Sequence, residues 1–151
     1  MTKPEEKKPQ VLIMAQYVKD LSFENPNVPQ IFEQIKEAPK IDLDLDVQVR
    51  STSEDIYEVT LAINVKASTE ADALFVTELQ YSGLFNIAGC DSEEQKEQIL
   101  LIYCPSLIFP FARRIIADAS RDGGFQPLMI NPVDFAALYL KHKEESAGKK
   151  H

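Results

Sequence analysis

Residues 103–122, YCPSLIFPFARRIIADASRD, decide the fold because they carry the broadest apolar stripe in the chain. From Leu107 to Ala119, apolar side chains recur at three- and four-residue steps, which is typical of one wide face of a helix. Proline has no N–H and clashes with the preceding turn, so Pro105 is expected to break or sharply bend any helix arriving from residue 92. A stripe this broad requires a large apolar partner surface elsewhere in the chain.

Composition indicates one ordinary globular domain. The chain has 151 residues, of which 44% are hydrophobic and 26% charged, with a net charge of -8. This negative charge argues against nucleic acid and anionic membrane surfaces as partners, since both are themselves negative. The N-terminal MTKPEEKKPQ lacks the apolar core of a signal peptide, and no apolar run approaches the ~20 residues of a membrane helix. We therefore expect a cytoplasmic protein with no direct membrane insertion.

Four runs of alternating residues predict four β-strands. In the first run, interrupted only by Lys19, one face carries Val11, Ile13, Ala15, Tyr17, Leu21 and Phe23. The second run is the clearest: a face expected to be buried, Ile41, Leu43, Leu45, Val47 and Val49, alternates with a wet, acidic one, Asp42, Asp44, Asp46, Gln48 and Arg50. Runs at 57–66 and 73–81 follow after short turns, which favour antiparallel pairing. The long first connection holds Phe32 and Ile35 and is expected to pack on the domain or cover a binding site.

Helical patterns follow the strands. The segment 91–98 begins a helix with Asp91 or Ser92 as N-cap, and Asp122-Gly123-Gly124 ends the helix that carries the stripe. Asn131-Pro132 predicts the start of a last helix. The expected fold is α+β, a four-stranded antiparallel sheet with C-terminal helices packed on one face. We expect a disordered tail at 1–10, a single domain at 11–140 and a flexible tail at 141–151.

The sequence shows no catalytic or metal-binding constellation. Cys90 and Cys104 are expected to be reduced structural thiols, and the only histidines, His142 and His151, lie near the C-terminus. The aspartates of the second run lie along a straight strand, which favours a solvated face over a calcium site. No glycine-rich phosphate loop occurs. We therefore predict no enzyme, no metal and no cofactor, and the surplus of apolar surface predicts association instead.

Several long strings together identify a family. The segment 103–139, YCPSLIFPFARRIIADASRDGGFQPLMINPVDFAALY, closely resembles the C-terminal half of SecB, the bacterial protein-export chaperone. YVKDLSFENPN, IDLDLDV, YEVTLAINVKA and ALFVTELQYSGLFNIAG resemble its N-terminal half, so that the match covers residues 11–139. Phe111 and Arg114 depart from the residues most common in the family, and the tail is short and ends Lys-Lys-His.

The resemblance implies a homotetramer, a dimer of dimers, that holds unfolded precursors of secreted proteins without ATP and delivers them to the translocation ATPase SecA. By matched position it implies a SecA-contact surface of Asp20, Glu24, Val76 and Glu78. It also implies a subunit-association surface that combines one face of the fourth strand with the long helix: Thr77, Leu79, Tyr81, Leu107, Ile108, Phe111 and Ile115. We expect the client groove to comprise Phe32, Ile35, Ile41, Leu43, Leu45, Phe135, Leu138 and Tyr139.

Two other classes of protein remain compatible with the residues alone. A small hydrophobic-ligand carrier would enclose one apolar cavity between sheet and helix. A thioesterase-like enzyme would need a convergent Asp, Glu or His, and none can be placed. An acidic sheet face beside a long aromatic-bearing loop favours the chaperone over the carrier, because a carrier has no need of a docking face.

Overall fold

A four-stranded antiparallel sheet with strand order β1-β4-β3-β2 forms the base of the fold in the computed structural model, which describes residues 8–148. Its strands are β1 (Gln10–Glu24), β2 (Lys40–Ser53), β3 (Ile56–Ser68) and β4 (Ala73–Ala88). The α+β class predicted from the alternating runs is confirmed. The tails expected at 1–10 and 141–151 lie partly outside the described residues, and β1 already begins at Gln10.

The helices are α1 (Ile31–Gln34), α2 (Glu93–Gln98), a π-helical segment (Ile99–Tyr103), α3 (Cys104–Asp122) and α4 (Phe135–Gly148). Ser92 is the N-cap of α2, since its Oγ accepts the Gln95 N–H at 3.1 Å. The predicted break at Pro105 is wrong, because the helix runs continuously from Glu93 to Asp122. A wider turn, in which the Cys104 N–H bonds the Ile99 carbonyl, precedes Pro105 and leaves it in the first turn of α3, where its missing N–H costs least.

The continuous helix also corrects the expectation that no segment approaches the length of a membrane helix. By length and composition alone, Glu93–Asp122 is apolar enough to cross a membrane. In the fold, however, its apolar stripe packs on β3 and β4, and four of its apolar side chains are fully buried: Cys104, Ile108, Ala112 and Ile116. The stripe is thus the core face of a helix packed on a sheet.

The single helix covers only the centre of the sheet. Four strands at about 4.8 Å spacing are wider than one helix of about 10 Å, so the edge strands project past it. On β2, Ile41 is 38% exposed and Leu43 43%, so the predicted burial of this apolar face is wrong at the edge strand. On β1, Val18 and Leu21 are similarly exposed at 45% and 43%. Both edges therefore present apolar side chains to solvent.

The middle of β1 differs from the expected alternation. Two bulges interrupt its pairing with β4, with Met14 and Lys19 as the extra residues. Each bulge turns the residues that follow to the other face of the sheet. Ala15 and Tyr17 therefore lie on the open face, which is the sheet face turned away from the helices, although the alternation predicts that they point inward. Gln16, which the alternation predicts on the outer side, faces the helices instead.

The last helix begins later and ends later than expected. Asp134, not Asn131, caps α4, because its Oδ1 accepts the Ala137 N–H at 3.0 Å. The helix continues to Gly148, so residues 141–148 are helical where a flexible tail was predicted. The Lys143 ammonium lies 3.4 Å from the Glu94 carboxylate and ties this last part of α4 to α2.

Candidate functional site

An apolar groove of about 700 Å³ lies between the β1–β2 connection, the start of β2 and the segment that follows α3. Its apolar lining comes from all three parts of the chain and from β4: Ile35, Ile41, Phe75, Phe125 and Leu128. Lys36 and Glu37 also contribute to its walls. A groove of this kind takes up apolar segments without demanding a sequence, because hydrophobic burial is non-directional.

Four phenylalanine rings form a row beneath and beside the groove. The centroids of Phe23 and Phe75 are 5.3 Å apart, those of Phe75 and Phe125 5.2 Å, and those of Phe125 and Phe32 5.4 Å. Gly124 makes room for the last ring, since a Cβ there would come within 2.7 Å of Phe32 Cζ. This row joins β1, β4, the β1–β2 connection and the segment after α3 into one wall.

The β1–β2 connection is held against the domain by polar as well as apolar contacts. The side-chain amide of Asn27 donates to the Ala73 carbonyl at 2.9 Å, and that of Asn25 donates to the Gly123 carbonyl at 3.4 Å. Ile31 of α1 is 1% exposed and anchors the connection in the core. The connection thus packs on the domain and forms a groove wall at the same time.

The structure brings together only part of the predicted client groove. Ile35 and Ile41 line the groove, Phe32 stands at the end of the phenylalanine row, and Leu43 and Leu45 continue the apolar face of β2. The predicted α4 residues do not line it: Phe135 and Tyr139 are buried at 3% and 5% exposure, and Leu138 is half-buried beside them. Phe135 packs edge-on against Phe109, with centroids 5.9 Å apart, so this part of α4 belongs to the core of a single chain.

Several groove residues escaped the sequence analysis, among them the large apolar residues Phe75, Phe125 and Leu128. Phe75 lies on the helix-facing side of β4, and periodicity does not distinguish a core position from a groove wall. Phe125 and Leu128 belong to a connector in which two glycines and a proline are followed by large apolar residues. Such residues in a turn-rich connector are the signal that could have identified them.

The four residues predicted for SecA contact lie together on the open face. Glu24 is paired with Val76, and Asp20 with Gln80, while Ser22 between them is paired with Glu78. Asp20, Glu24 and Glu78 are exposed and Val76 is half-buried. The shared-face orientation expected from alternation is therefore confirmed for all four. We call Asp20, Glu24, Val76 and Glu78 the docking face.

Carboxylates from β2 extend the acidic character across the sheet. Asp42, Asp44 and Asp46 are exposed on the open face, with Lys66 between Asp42 and Val76. A depression of about 300 Å³ lies between Asp42, Asp44 and Glu78. Among residues 8–148, no three potential metal-ligating side chains come together. The exposed carboxylates give the face a negative charge, and a surface of that charge is complementary to a basic one.

The residues predicted for subunit association lie at the contact between β4 and α3, but not all are accessible. Thr77, Leu79 and Ile108 are fully buried in the single chain, and Tyr81 is 7% exposed. Phe111 is 42% exposed and stacks on Tyr81 with centroids 6.5 Å apart. Leu107 and Ile115 are half-buried. The buried members join α3 to the sheet, whereas the other members leave apolar surface open.

The two cysteines are free thiols, as expected. Cys104 is fully buried, and burial raises its pKa to about 12. Burial also raises the pKa of Cys90, although the Lys96 ammonium opposes that shift. Both thiols therefore remain protonated at neutral pH, and a protonated thiol is a poor nucleophile.

Comparison with known proteins agrees with this architecture. The family model described as SecB, preprotein translocase subunit SecB, matches residues 4–146. A protein-export protein SecB from Maricaulis maris is 56% identical over 131 residues, which are 87% of this chain and 76% of that relative. Another from Rickettsia felis is 48% identical over 145 residues, 95% of each chain.

A solved structure shares the fold at much lower sequence identity. It is a SecB-like chaperone of Mycobacterium tuberculosis in complex with a ChAD peptide from the HigA1 antitoxin, with a TM-score of 0.68 at 13% identity. The match covers 82% of this chain and 90% of that one. The family model and the close relatives together show that this chain belongs to the SecB family of protein-export chaperones.

Proposed function

We propose that this chain is an ATP-independent holdase that binds unfolded precursors of secreted proteins in its apolar groove and delivers them to SecA. The observation that carries the proposal is the groove itself, open to solvent and lined by aromatic and aliphatic side chains from four parts of the chain. Unfolded precursors share exposed apolar segments and no common sequence. An apolar wall that gains ~25 cal/mol per Å² removed from water suits such clients.

The groove is extended by apolar residues that a single chain leaves uncovered. Leu43 continues the β2 face beyond Ile41, with 43% of its side chain exposed, and Leu45 follows half-buried. Phe32 is 41% exposed at the opposite side of the groove. We assign client binding to these residues together with Ile35, Phe125 and Leu128. The buried α4 residues would support the wall from beneath.

Delivery requires a second surface that remains free while a client is bound. The docking face is on the side of the sheet opposite the helices, so a client in the groove does not cover it. Its three carboxylates are exposed, and together with those of β2 they form a broad negative surface. Such a surface favours fast, salt-dependent association with a basic partner. We assign SecA docking to Asp20, Glu24, Val76 and Glu78.

Two uncovered apolar areas support assembly into a dimer of dimers. One is the edge strand β1, where Val18 and Leu21 are exposed beside an unpaired strand edge. The other is the outer side of α3, where Phe111 is exposed and Leu107 and Ile115 are half-buried. Exposed edges and apolar patches of this kind are commonly covered by a second copy. We place the homotetramer in the cytoplasm.

Light scattering on a sizing column tests the proposal, with the protein alone and with a reduced, unfolded secretory precursor. We expect a tetramer that takes up the unfolded precursor, does not require ATP, and ignores the folded form of the same precursor. A monomer that is indifferent to the precursor would overturn the holdase assignment. In that case, a small hydrophobic ligand would be the next occupant to test.

Glu78→Lys tests the docking face separately from the groove. The substitution reverses one charge at the centre of the face, and we expect a loss of roughly tenfold or more in SecA affinity with unchanged precursor binding. Glu97→Lys makes the same charge reversal at an exposed position of α2 and is the matched control. Equal SecA affinity for the Glu78→Lys variant and the parent protein would contradict the assignment.

A further inference from the structure

Three side chains from two other strands meet at Glu58 of β3 on the open face. The Tyr17 hydroxyl donates to Glu58 Oε2 at 2.5 Å, and Lys19 Nζ donates to Oε1 at 2.9 Å. Arg50 of β2 brings a guanidinium nitrogen within 3.6 Å of the same Oε1. Glu58 is only 7% exposed. The hydrogen bonds from Tyr17 and Lys19 lower its pKa, so this nearly buried carboxyl group stays ionised and fully partnered at neutral pH.

The Glu58 contacts connect strands that are not neighbours. In the sheet, β4 lies between β1 and β3, so Tyr17 and Lys19 reach across β4 to Glu58. Beneath them, Ser82 of β4 and Thr60 of β3 share a buried hydroxyl–hydroxyl hydrogen bond of 2.6 Å. The network therefore fixes β1 relative to the centre of the sheet through contacts that the β1–β4 backbone ladder does not provide.

This network holds β1 at a bulge. Lys19 is the extra residue of the second bulge, and it lies on the open face with its ammonium on Glu58. Without the two bulges, pairing that starts from Ile13 opposite Phe85 would place Lys19 opposite Leu79, facing the core side of the sheet. That orientation would take the Lys19 ammonium away from Glu58 and leave a nearly buried carboxylate without this partner, which is costly. With the bulges, the Lys19 ammonium instead lies on the carboxylate of Glu58.

The bulges also set the spacing of the acidic side chains. In the observed register, Ser22 is opposite Glu78, and Asp20 and Glu24 stand two residues to either side of Ser22. Without the bulges, Asp20 itself would be opposite Glu78. Cβ atoms of directly opposed residues are about 4.5–5.5 Å apart, and like charges at that distance destabilise the pair. Register therefore decides whether the carboxylates flank Glu78 or confront it.

We infer that Glu58 is a positioning residue for the docking face. By holding Tyr17 and Lys19 on the open face, Glu58 fixes the change of face that the first bulge of β1 introduces. The second bulge then returns Leu21 and Phe23 to the helix side, and the two bulges together give the offset that places Asp20 and Glu24 on either side of Glu78. Glu58 acts through β1 and does not itself contact the partner. The inference rests on the proposed function, because the importance of this spacing comes from SecA docking.

Glu58→Ala tests the inference with two independent readouts. The first is the register of β1 against β4, read by NMR from cross-strand nuclear Overhauser contacts, which require no partner protein. We expect the Ser22–Glu78 contact to be lost in this variant. The second is SecA affinity, which we expect to fall roughly tenfold. Glu97→Ala, which removes one exposed carboxylate from α2, is the matched control and is expected to leave both readouts unchanged.

Two further variants separate positioning from a general loss of structure. In Glu58→Gln the amide oxygen still accepts the Tyr17 hydroxyl, so we expect the parental register and a SecA affinity within about threefold of the parent. Lys19→Met removes one of the two tethers of β1 and is expected to shift the register in part. It replaces Glu58→Ala as the decisive variant if Glu58→Ala does not fold.

The outcomes distinguish this inference from the proposed function. A parental register in Glu58→Ala, or in Lys19→Met if that variant must replace it, would overturn the inference whatever the SecA affinity. A parental register together with weakened SecA binding would show instead that Glu58 contacts the partner directly. A shifted register with unchanged SecA affinity would confirm that Glu58 sets the register and would contradict the docking face of the proposed function.

Discussion

Ile41→Asp and Val49→Asp form a matched pair that tests the client groove. Both residues are β-branched, both lie on the helix-facing side of β2, and each is 38% exposed. Ile41 lines the groove, whereas Val49 lies eight residues farther along the strand, about 26 Å away. The two substitutions therefore cost the free protein similar amounts of buried apolar surface, but only Ile41→Asp changes the groove wall.

The magnitude follows from the exposed fraction. Full burial of an aliphatic side chain of this size contributes about 1.5–3 kcal/mol, so covering the exposed 38% of Ile41 with a client contributes about 0.6–1.1 kcal/mol. Loss of that contribution weakens binding about three- to sevenfold, and desolvation of the new carboxylate adds to the loss. The part already buried implies that each substitution lowers the free energy of unfolding by roughly 1–2 kcal/mol.

Precursor affinity and urea unfolding, measured side by side, check this reasoning. We expect similar unfolding midpoints for the two variants, and weaker binding of a reduced, unfolded precursor only for Ile41→Asp. Equal affinities for Ile41→Asp, Val49→Asp and the parent would show that clients do not use the groove. Equal losses in both variants would show that clients bind along the whole β2 face.

Three other substitutions test separate parts of the structure. Gly124→Ala forces a side chain onto a φ of 95° and against Phe32, so we expect a loss of about 1–2 kcal/mol in thermal unfolding and weaker precursor binding; parental values for both would contradict this. Phe111→Asp places a charge on the exposed side of α3 and is expected to dissociate the tetramer in light scattering, whereas an unchanged mass would place the contact elsewhere. The Glu58 pKa lies below its usual value of 4.5, so ionised Glu58 adds stability above about pH 4.5 that is lost as the pH falls through the lowered pKa. The urea midpoint of the parent should therefore fall more steeply than that of Glu58→Gln between about pH 6 and pH 3, and parallel curves would show that Glu58 has no such role.

Local patterns determined the class of this fold. Strict alternation along β2 and β3, with short turns between three strands, was sufficient for the antiparallel sheet, because strand periodicity is a property of consecutive residues. The same alternation correctly placed Asp20 with Glu24, and Val76 with Glu78, on one face. The strings around the long helix identified the family, and the family implied the residues of the docking face.

The tertiary structure decided features that depend on contacts between distant residues. The π turn before Pro105 keeps the long helix continuous, and a rule for an isolated proline does not anticipate it. The groove assembles Ile35, Phe75 and Phe125 from distant parts of the chain, while Phe135 turns into the core. Periodicity gives the side of an element on which a residue lies, but not what stands opposite.

Strand β1 shows most clearly which features follow from the sequence and which follow from tertiary contacts. Its sequence predicts a strand with Tyr17 pointing inward, and only the sheet shows that Glu58, 41 residues away in the chain, draws Tyr17 to the open face. A bulge of one residue reverses the faces of everything that follows, and its position depends on the neighbouring strands. The sequence by itself therefore determined that β1 is a strand and that this chain resembles an export chaperone. Tertiary contacts decided which β1 side chains face solvent, because register is set between strands and not along one.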